Sequence, residues 1–159
     1  MKIIVVSDTH GYVKEFLEKV EEIGIPDMIF HLGDYADDGI KISKELGVEV
    51  LIVKGNGDYN VSKFNEDELV EIEGKKFFLT HGHRYNVRYN ISSLYYKGKE
   101  VGADVVLFGH THIPIVEKED DITIINPGSP SMPRGFNRKK TFGLLNIGDT
   151  VDVKIIEIK

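Results

Sequence analysis

The sequence contains no cysteine. This excludes disulfide bonds, zinc–thiolate sites and catalysis by a thiol nucleophile. Any metal ion that the protein binds must therefore be held by nitrogen and oxygen ligands alone.

Long hydrophobic runs are also missing. The first apolar run, at residues 3–6, is far too short for a signal-peptide core, and no run approaches the ~18 residues of a membrane span. Cations are fewer than acids, since 20 Lys and Arg against 26 Asp and Glu give a formal net charge of −6. Nucleic-acid surfaces need clustered Lys and Arg, so we do not expect stable nucleic-acid binding. We expect a soluble cytoplasmic protein.

No internal repeat, low-complexity tract or long linker divides the chain. A length of 159 residues suits one domain and can bury a substantial core without covalent staples. We therefore expect a single domain over residues 1–159.

What the sequence does contain is an alternation of two hydrophobic periods. Apolar runs at residues 3–6, 28–32 and 48–53 are typical of strands buried on both faces. Residues 13–23 and 36–46 instead carry apolar side chains at helical spacing, and each stretch is followed by a glycine. This βαβαβ order predicts a parallel sheet with right-handed crossovers.

The second half of the chain has shorter elements. Residues 69–73 and 76–79 predict a hairpin around Gly74, residues 91–101 a helix and residues 105–108 a buried strand. After Pro114 the pattern predicts short antiparallel strands, separated by an irregular loop at residues 126–140. The fold class that follows is α/β, with two packed mixed β-sheets flanked by helices.

Five of the predicted strands end on potential metal ligands. The five clusters, which hold five of the six histidines, are Asp8-Thr9-His10, Gly33-Asp34, Gly55-Asn56-Gly57-Asp58, His81-Gly82-His83 and Gly109-His110-Thr111-His112. Ligands of an open α/β sheet bind outside the carboxyl ends of its strands. A single cluster could be ordinary turn chemistry, but five such coincidences predict one shared metal site.

The ordered motifs Asp-x-His, Gly-Asp, Gly-Asn-x-Asp, His-Gly-His and Gly-His-x-His resemble the calcineurin-like metallophosphoesterase superfamily. The short chain, the Asn126-Pro127-Gly128-Ser129 segment and Gly57 resemble its small single-domain phosphodiesterase branch, the YfcE-like enzymes. The resemblance spans the chain from Asp8 to the last strands. It implies a four-layer α/β/β/α sandwich that hydrolyses a small phosphodiester or a nucleotide.

The resemblance also implies two divalent metal ions with Asp34 as a bridge. The first ion would be held by Asp8, His10 and His112, and the second by Asn56, His81 and His110. Manganese is expected first, and nickel, zinc, iron or cobalt suit the same ligands. A hydroxide held between two cations would attack phosphorus in line, so no protein nucleophile is required.

The expected catalytic set is Asp34, Asn56, Asp58, His81 and His83. Asp58 is expected to shape the surroundings of Asn56 rather than to bind metal, whereas His83 either contacts substrate or has a structural role. In many relatives a histidine at the position of Gly57 could protonate the leaving group. Its absence predicts a preference for activated or phenolic leaving groups, or protonation by another group such as water.

Several other residues allow two interpretations each. His31 predicts a buried histidine that is hydrogen-bonded to backbone or to a ligand. The basic residues of the irregular loop either are solvated or receive substrate phosphate, and they are Arg134, Arg138, Lys139 and Lys140. A group rich in tyrosine either stacks on a nucleobase or covers the sheet, and it comprises Tyr85, Arg88, Tyr89, Tyr95 and Tyr96.

Two functions from different classes follow from the resemblance. The first is a dinuclear metal-dependent phosphodiesterase. The second is a catalytically weak scaffold or protein-interaction module of the same fold, as in a subunit of the retromer coat. Competent side chains at every expected ligand position favour catalysis, and homo-oligomerisation stays open.

Overall fold

Two five-stranded β-sheets form the centre of the fold, as seen in a computed structural model that describes residues 1–159. Three helices accompany the ten strands. In chain order the elements are β1 (Lys2–Val6), α1 (Lys14–Ile23), β2 (Met28–His31), α2 (Asp37–Leu46), β3 (Glu49–Ile52), β4 (Asp67–Ile72), β5 (Lys75–Thr80), α3 (Ser92–Val101), β6 (Val105–Leu107), β7 (Ile115–Glu119), β8 (Ile122–Asn126), β9 (Lys140–Ile147) and β10 (Val151–Ile158).

The first sheet has the strand order β10-β9-β1-β2-β3. Its strands β1, β2 and β3 are parallel, with Ile4 opposite Ile29 and Ile29 opposite Val50. The C-terminal strands β9 and β10 extend the sheet in antiparallel fashion beyond β1. The βαβαβ prediction for the first half of the chain is therefore confirmed.

The second sheet has the order β4-β5-β6-β8-β7. Strands β7 and β8 form the antiparallel pair that the pattern after Pro114 predicts, and β8 is in addition parallel to β6. The sheet is mixed because the second strand of the β7–β8 hairpin, and not the first, lies beside β6. Sequence periodicity identifies strands but not which of two strands in a hairpin takes the inner position.

Apolar side chains form three layers of core. The layer between the sheets includes Phe30 of β2 and Phe77 of β5, whose ring centroids lie 6.0 Å apart. Helices α1 and α2 cover the other face of the first sheet, where Phe16 packs edge-on against Phe142. Helix α3 covers the second sheet through Leu94. The α/β class with two packed mixed sheets flanked by helices is thus confirmed.

Helix α3 lies very close to its sheet at one glycine. A Cβ atom on Gly98 would be only 2.7 Å from Cγ2 of Val106. Valine is stiff at χ1, so its methyl group cannot easily give way. The glycine is therefore required by packing, even though glycine weakens a helix.

No helix of the protein combines the length and apolar character that a bilayer crossing needs.

This packing predicts that Gly98→Ala destabilises the protein although alanine is the better helix former. Overpacking of a buried contact costs about 1–3 kcal/mol, which exceeds the helix-propensity gain of about 1 kcal/mol. Urea unfolding should therefore give a lower free energy of unfolding. Ser93→Ala, on the exposed side of the same helix, should change it by about 0.5 kcal/mol or less. A stabilised Gly98→Ala protein would contradict the close packing.

Candidate metal centre

The five predicted ligand clusters follow strands β1, β2, β3, β5 and β6 and meet at one rim. One potential ligand atom from each of Asp8, His10, Asp34 and His112 lies within 4.8 Å of the other three. These residues come from strand ends in both sheets. The rim therefore joins the two sheets as well as the five clusters.

The ligand-bearing turns have an unusual backbone. Five of the candidate ligands adopt positive φ values, namely Asp8 (58°), His10 (48°), Asp34 (55°), His110 (70°) and His112 (60°). This left-handed conformation costs a residue with a Cβ roughly 1–2 kcal/mol. Such strained residues concentrate at functional sites, because the surrounding structure holds them in place.

Three buried polar atoms at the rim have no hydrogen-bond partner in the protein: Oδ1 of Asp8, Nε2 of His10 and Nε2 of His81. The Asp8 oxygen lies 4.0 Å from the His10 nitrogen and 3.7 Å from the His81 nitrogen. Buried polar atoms are nearly always paired, and unpaired ones need an explanation. Lone pairs of imidazole nitrogen and carboxylate oxygen that converge in this way fit a divalent cation.

The Asp34 carboxylate lies between two groups of candidate ligands. The first group is Asp8, His10 and His112, and the second is Asn56, His81 and His110. Its Oδ2 atom is 3.8 Å from Nε2 of His10, and its Oδ1 atom is 3.4 Å from Nε2 of His81. The backbone N–H of Gly57 donates to Oδ1 at 2.8 Å. One carboxylate therefore faces both groups, which is the arrangement that a shared ligand requires.

The second group contains His81, His110 and Asn56. Nδ1 of His110 lies 3.1 Å from Oδ1 of Asn56, and the rings of His81 and His110 are 5.2 Å apart. His83 adjoins this group, with its ring 5.6 Å from that of His81 and 6.2 Å from that of His110. Its Nδ1 atom is buried without a hydrogen-bond partner. The structure therefore brings His83 to the edge of the centre.

Backbone carbonyl groups orient two of the imidazoles. Nδ1 of His81 donates to the carbonyl of Leu32 at 2.7 Å, and Nδ1 of His112 donates to the carbonyl of Met132 at 2.6 Å. These bonds fix the tautomer that carries its lone pair on Nε2. Both Nε2 atoms face Asp8, at 3.7 and 3.2 Å from Oδ1.

Burial and charge adjust the protonation of these groups. Burial would raise the pKa of Asp8, but the adjacent imidazoles of His112 and His81 lower it to about 2. Burial lowers the pKa of His10, and burial together with His81 and Arg88 lowers the pKa of His110 to about 4. These shifts favour an ionised Asp8 carboxylate and neutral imidazoles at His10 and His110, the forms that bind metal ions. Burial would also lower the pKa of His112, but the neighbouring Asp8 carboxylate raises it.

Asp58 connects two of the turns at the rim through hydrogen bonds. Its carboxylate accepts hydrogen bonds from the backbone N–H groups of Asp34, Ala36 and Gly55 at 2.8–2.9 Å. It therefore ties the turn after β2 to the turn after β3. These bonds occupy both of its oxygen atoms, and Asp58 does not belong to the group of converging ligand atoms.

His31 anchors the first ligand turn through a buried network. Its Nδ1 accepts from the N–H of Gly33, so Nε2 carries the proton and donates to the Thr9 hydroxyl at 3.0 Å. That hydroxyl donates to Asp38 at 2.6 Å. Burial lowers the pKa of His31 to about 4, which keeps the ring neutral. No sequence pattern indicated this role for Thr9, the variable middle residue of the Asp-x-His motif, or for Asp38, which lies outside the five clusters.

Other residues outside the metal motifs also support the first turn. The Ser7 hydroxyl donates to Oδ2 of Asp8, and the Ser129 and Ser131 hydroxyls donate to the carbonyls of Asp8 and Thr9. In the sequence, only the Asn126-Pro127-Gly128-Ser129 segment indicated that this loop has a role at the site. It lies in the loop that was predicted to be irregular, and no helix or strand interrupts that loop between β8 and β9.

The structure distinguishes among the basic and aromatic residues that allowed two interpretations. Lys139 and Lys140 form ion pairs with Glu157 and Glu15, at 3.0 and 2.9 Å. Arg134 and Arg138 have no carboxylate within 4.0 Å. The hydroxyls of Tyr85 and Tyr95 donate to Asp67 and Asp120, and both rings pack against the core beneath α3, whereas Tyr89 and Tyr96 are exposed.

The fold and the rim together define a class of protein: a four-layer α/β sandwich with a carboxylate and histidine centre suited to divalent metal ions. Residues 1–150 match the Calcineurin-like phosphoesterase superfamily domain. The chain therefore belongs to the calcineurin-like phosphoesterase superfamily, as the motif order predicted.

Individual relatives agree with this assignment. A probable metallophosphoesterase from Methanocaldococcus jannaschii is 38% identical over 100% of this chain and 82% of its own length. A phosphodiesterase from the same organism is 33% identical over 80% of this chain and 83% of its own length. These relatives support a phosphoric ester hydrolase.

Solved structures support the same fold. A predicted phosphoesterase from Streptococcus pneumoniae superimposes with a TM-score of 0.83 at 31% identity, covering 98% of this chain and 88% of its own. A zinc complex of Vps29 from Entamoeba histolytica superimposes with a TM-score of 0.82 over 100% of both chains. At 22% identity, the Vps29 likeness shows the fold alone.

The left-handed ligand turns lead to a prediction about stability. Glycine adopts this backbone conformation without the steric cost of a Cβ, so metal-free His10→Gly should be more stable than His10→Ala by about 1 kcal/mol. Unfolding by urea in the presence of a chelator measures the difference. At the exposed helical residue Glu45, the order should be reversed, with glycine about 1 kcal/mol less stable than alanine. The same order at both positions would argue against strain at His10.

Proposed function

We propose that the protein is a dinuclear metal-dependent phosphodiesterase that hydrolyses small phosphodiesters or nucleotides. The observation that carries this proposal is the position of Asp34, whose two carboxylate oxygens face separate groups of candidate ligands. Two ions that share a carboxylate lie about 3.5–4 Å apart, a spacing typical of phosphoester hydrolases.

The geometry suggests how the ligands divide between the ions. Asp34 would belong to both sites, the first being completed by Asp8, His10 and His112 and the second by Asn56, His81 and His110. Nitrogen and oxygen ligands of this kind suit manganese and also nickel, zinc, iron or cobalt. When bound, the two cations supply an activated water nucleophile and neutralise charge on the phosphoryl oxygens.

The protein's own residues perform the remaining tasks. The backbone carbonyls of Leu32 and Met132 hold His81 and His112 in the tautomer that presents Nε2. Asp58 accepts hydrogen bonds from the turns that carry Asp34 and Asn56, which supports a positioning role for it rather than metal binding. His83 lies beside the second group of ligands, which supports a role for it in substrate contact.

Proton donation to the leaving group is the weak point of this centre. Position 57 is a glycine, and both oxygens of Asp58 accept backbone hydrogen bonds, so neither residue is placed to act as a general acid. Good leaving groups depart without a proton, whereas alkoxides need one. We therefore propose a preference for aryl or otherwise activated esters.

The dinuclear mechanism predicts that Asp34→Asn and His110→Ala each lower hydrolysis of an activated aryl phosphodiester by roughly 100-fold or more. Activity is measured at saturating Mn²⁺, together with the bound metal content of each variant. Asp37→Asn provides the matched control, because Asp37 is an exposed carboxylate three residues from Asp34. Unchanged hydrolysis in both ligand variants would refute the mechanism.

Hydrolysis also separates the enzyme from the alternative scaffold of the same fold. The loaded protein should turn over at least one class in a panel of phosphomonoesters, phosphodiesters and nucleotides. Metal uptake without turnover of any of them would instead favour the scaffold or protein-interaction module.

The missing proton donor predicts a gain of function for Gly57→His. A Cβ at this position would lie 3.0 Å from Oδ1 of Asp34, so any side chain imposes some strain and Gly57→Ala is the proper reference. Relative to Gly57→Ala, Gly57→His should raise kcat for alkyl esters by roughly 100-fold and for nitrophenyl esters much less. Equal kcat values for the two variants would mean that geometry, not the missing imidazole, limits the rate.

A further inference from the structure

A cavity of about 360 Å³ opens beside the candidate metal centre, and none of the candidate ligands lines it. Five apolar residues line it, namely Val87, Ile91, Phe108, Ile113 and Ile115, and two arginines also line it, Arg88 and Arg134. We propose that this cavity receives an apolar ester arm of the substrate while Arg88 and Arg134 bind its phosphoryl oxygens. This inference rests on the proposed function and names the substrate class of the same centre.

The cavity shares a wall with the centre. Thr111, which also lines the cavity, lies between the candidate ligands His110 and His112. The backbone N–H of Arg134 donates to the carbonyl of His112 at 3.1 Å, and Nε of Arg88 donates to Nε2 of His110 at 3.1 Å. A phosphoryl group at the metal centre would therefore have one ester arm within reach of the cavity.

The two arginines are free to bind an anion. Neither has a carboxylate within 4.0 Å, whereas Arg84 is paired with Glu66 and Asp67. The planar guanidinium matches the geometry of phosphoryl oxygens and can bind two of them at once.

Tautomer chemistry gives a reason for Arg88 to turn toward a substrate. While Nε2 of His110 accepts a hydrogen bond from Arg88, the ring proton lies on Nδ1 and points to Asn56. If His110 held a metal ion through Nδ1, its ring proton would lie on Nε2, which could then no longer accept from Arg88. The guanidinium would thereby lose its partner beside the cavity.

The lining favours an apolar arm over a nucleobase. Thr111 is the uncharged polar side chain in the lining, and its hydroxyl oxygen already accepts from Asn126 and from the N–H of Ile113. A nucleobase would bury donors and acceptors without partners, which is costly. The aromatic residue Phe108 is only 2% exposed and offers little ring surface for stacking. An aryl or branched alkyl arm loses no hydrogen bonds on entry.

Two non-hydrolysable ligands test the cavity without requiring turnover. Phenylphosphonate and methylphosphonate carry the same phosphoryl group, and each has a single arm. Isothermal titration calorimetry of the Mn²⁺-loaded protein should give a Kd for phenylphosphonate lower by about tenfold, because the ring buries apolar surface that the methyl group lacks.

Variants should separate the two parts of the site. Ile113→Asn, at a residue that is 40% exposed, should reduce the preference for the phenyl arm to about twofold or less. Arg134→Gln should instead weaken both ligands by about tenfold and leave the preference intact. Arg138→Gln is the matched control, because Arg138 belongs to the same basic loop but does not line this cavity. It should change either Kd by about twofold or less.

Equal affinity for the two phosphonates, no binding of phenylphosphonate, or an unchanged preference in Ile113→Asn would overturn the inference. Hydrolysis of an aryl diester, measured on the same preparations, keeps the two proposals apart. Turnover without a phenyl preference refutes the cavity alone, and a phenyl preference without turnover refutes the enzymatic function alone.

Discussion

The site depends on the close approach of two strand ends that belong to different sheets. Gly109, two residues after the end of β6, lies against the turn that follows β1. A Cβ at this glycine would overlap the Ser7 hydroxyl and lie 2.7 Å from Oδ2 of Asp8. The same approach lets the N–H of His110 donate to that carboxylate at 3.0 Å. A side chain at residue 109 would push the sheets apart at the rim. Each sheet would then keep part of the ligand set, and neither part would form the centre.

Much of this arrangement can be predicted from the sequence, because strand ends in a parallel sheet share one direction. The apolar runs before Asp8, Asp34 and Asn56 define three parallel strands, and their helical connections determine that all three clusters reach the same rim. The histidine clusters lie in the second sheet, and their meeting with the first could be inferred only from motif order. The structure supplies the missing contact between Asp8 and the turn at Gly109.

What the sequence could not predict depends on contacts without a local pattern. The position of β8 beside β6 depends on how a hairpin docks, and the network of Thr9, His31 and Asp38 joins residues 22 and 29 positions apart. The role of Arg88 was hidden for a different reason. In the sequence it lies among tyrosines, and only the fold brings it to His110. The spacing of apolar residues shows which face of a single helix or strand is buried, whereas these contacts join different helices, strands and turns.

The order of the strands has a consequence for the newly made chain. Strand β1, which carries Asp8 and His10, pairs on one side with β2 and on the other with β9, whose first residue is Lys140. Synthesis runs from the N-terminus, so one edge of this central strand stays open until β9 has been made. The last of the candidate ligands, His112, also emerges well after the first. The complete set of candidate ligands therefore exists only after His112 has been made, although Asp8 and His10 are made among the first residues.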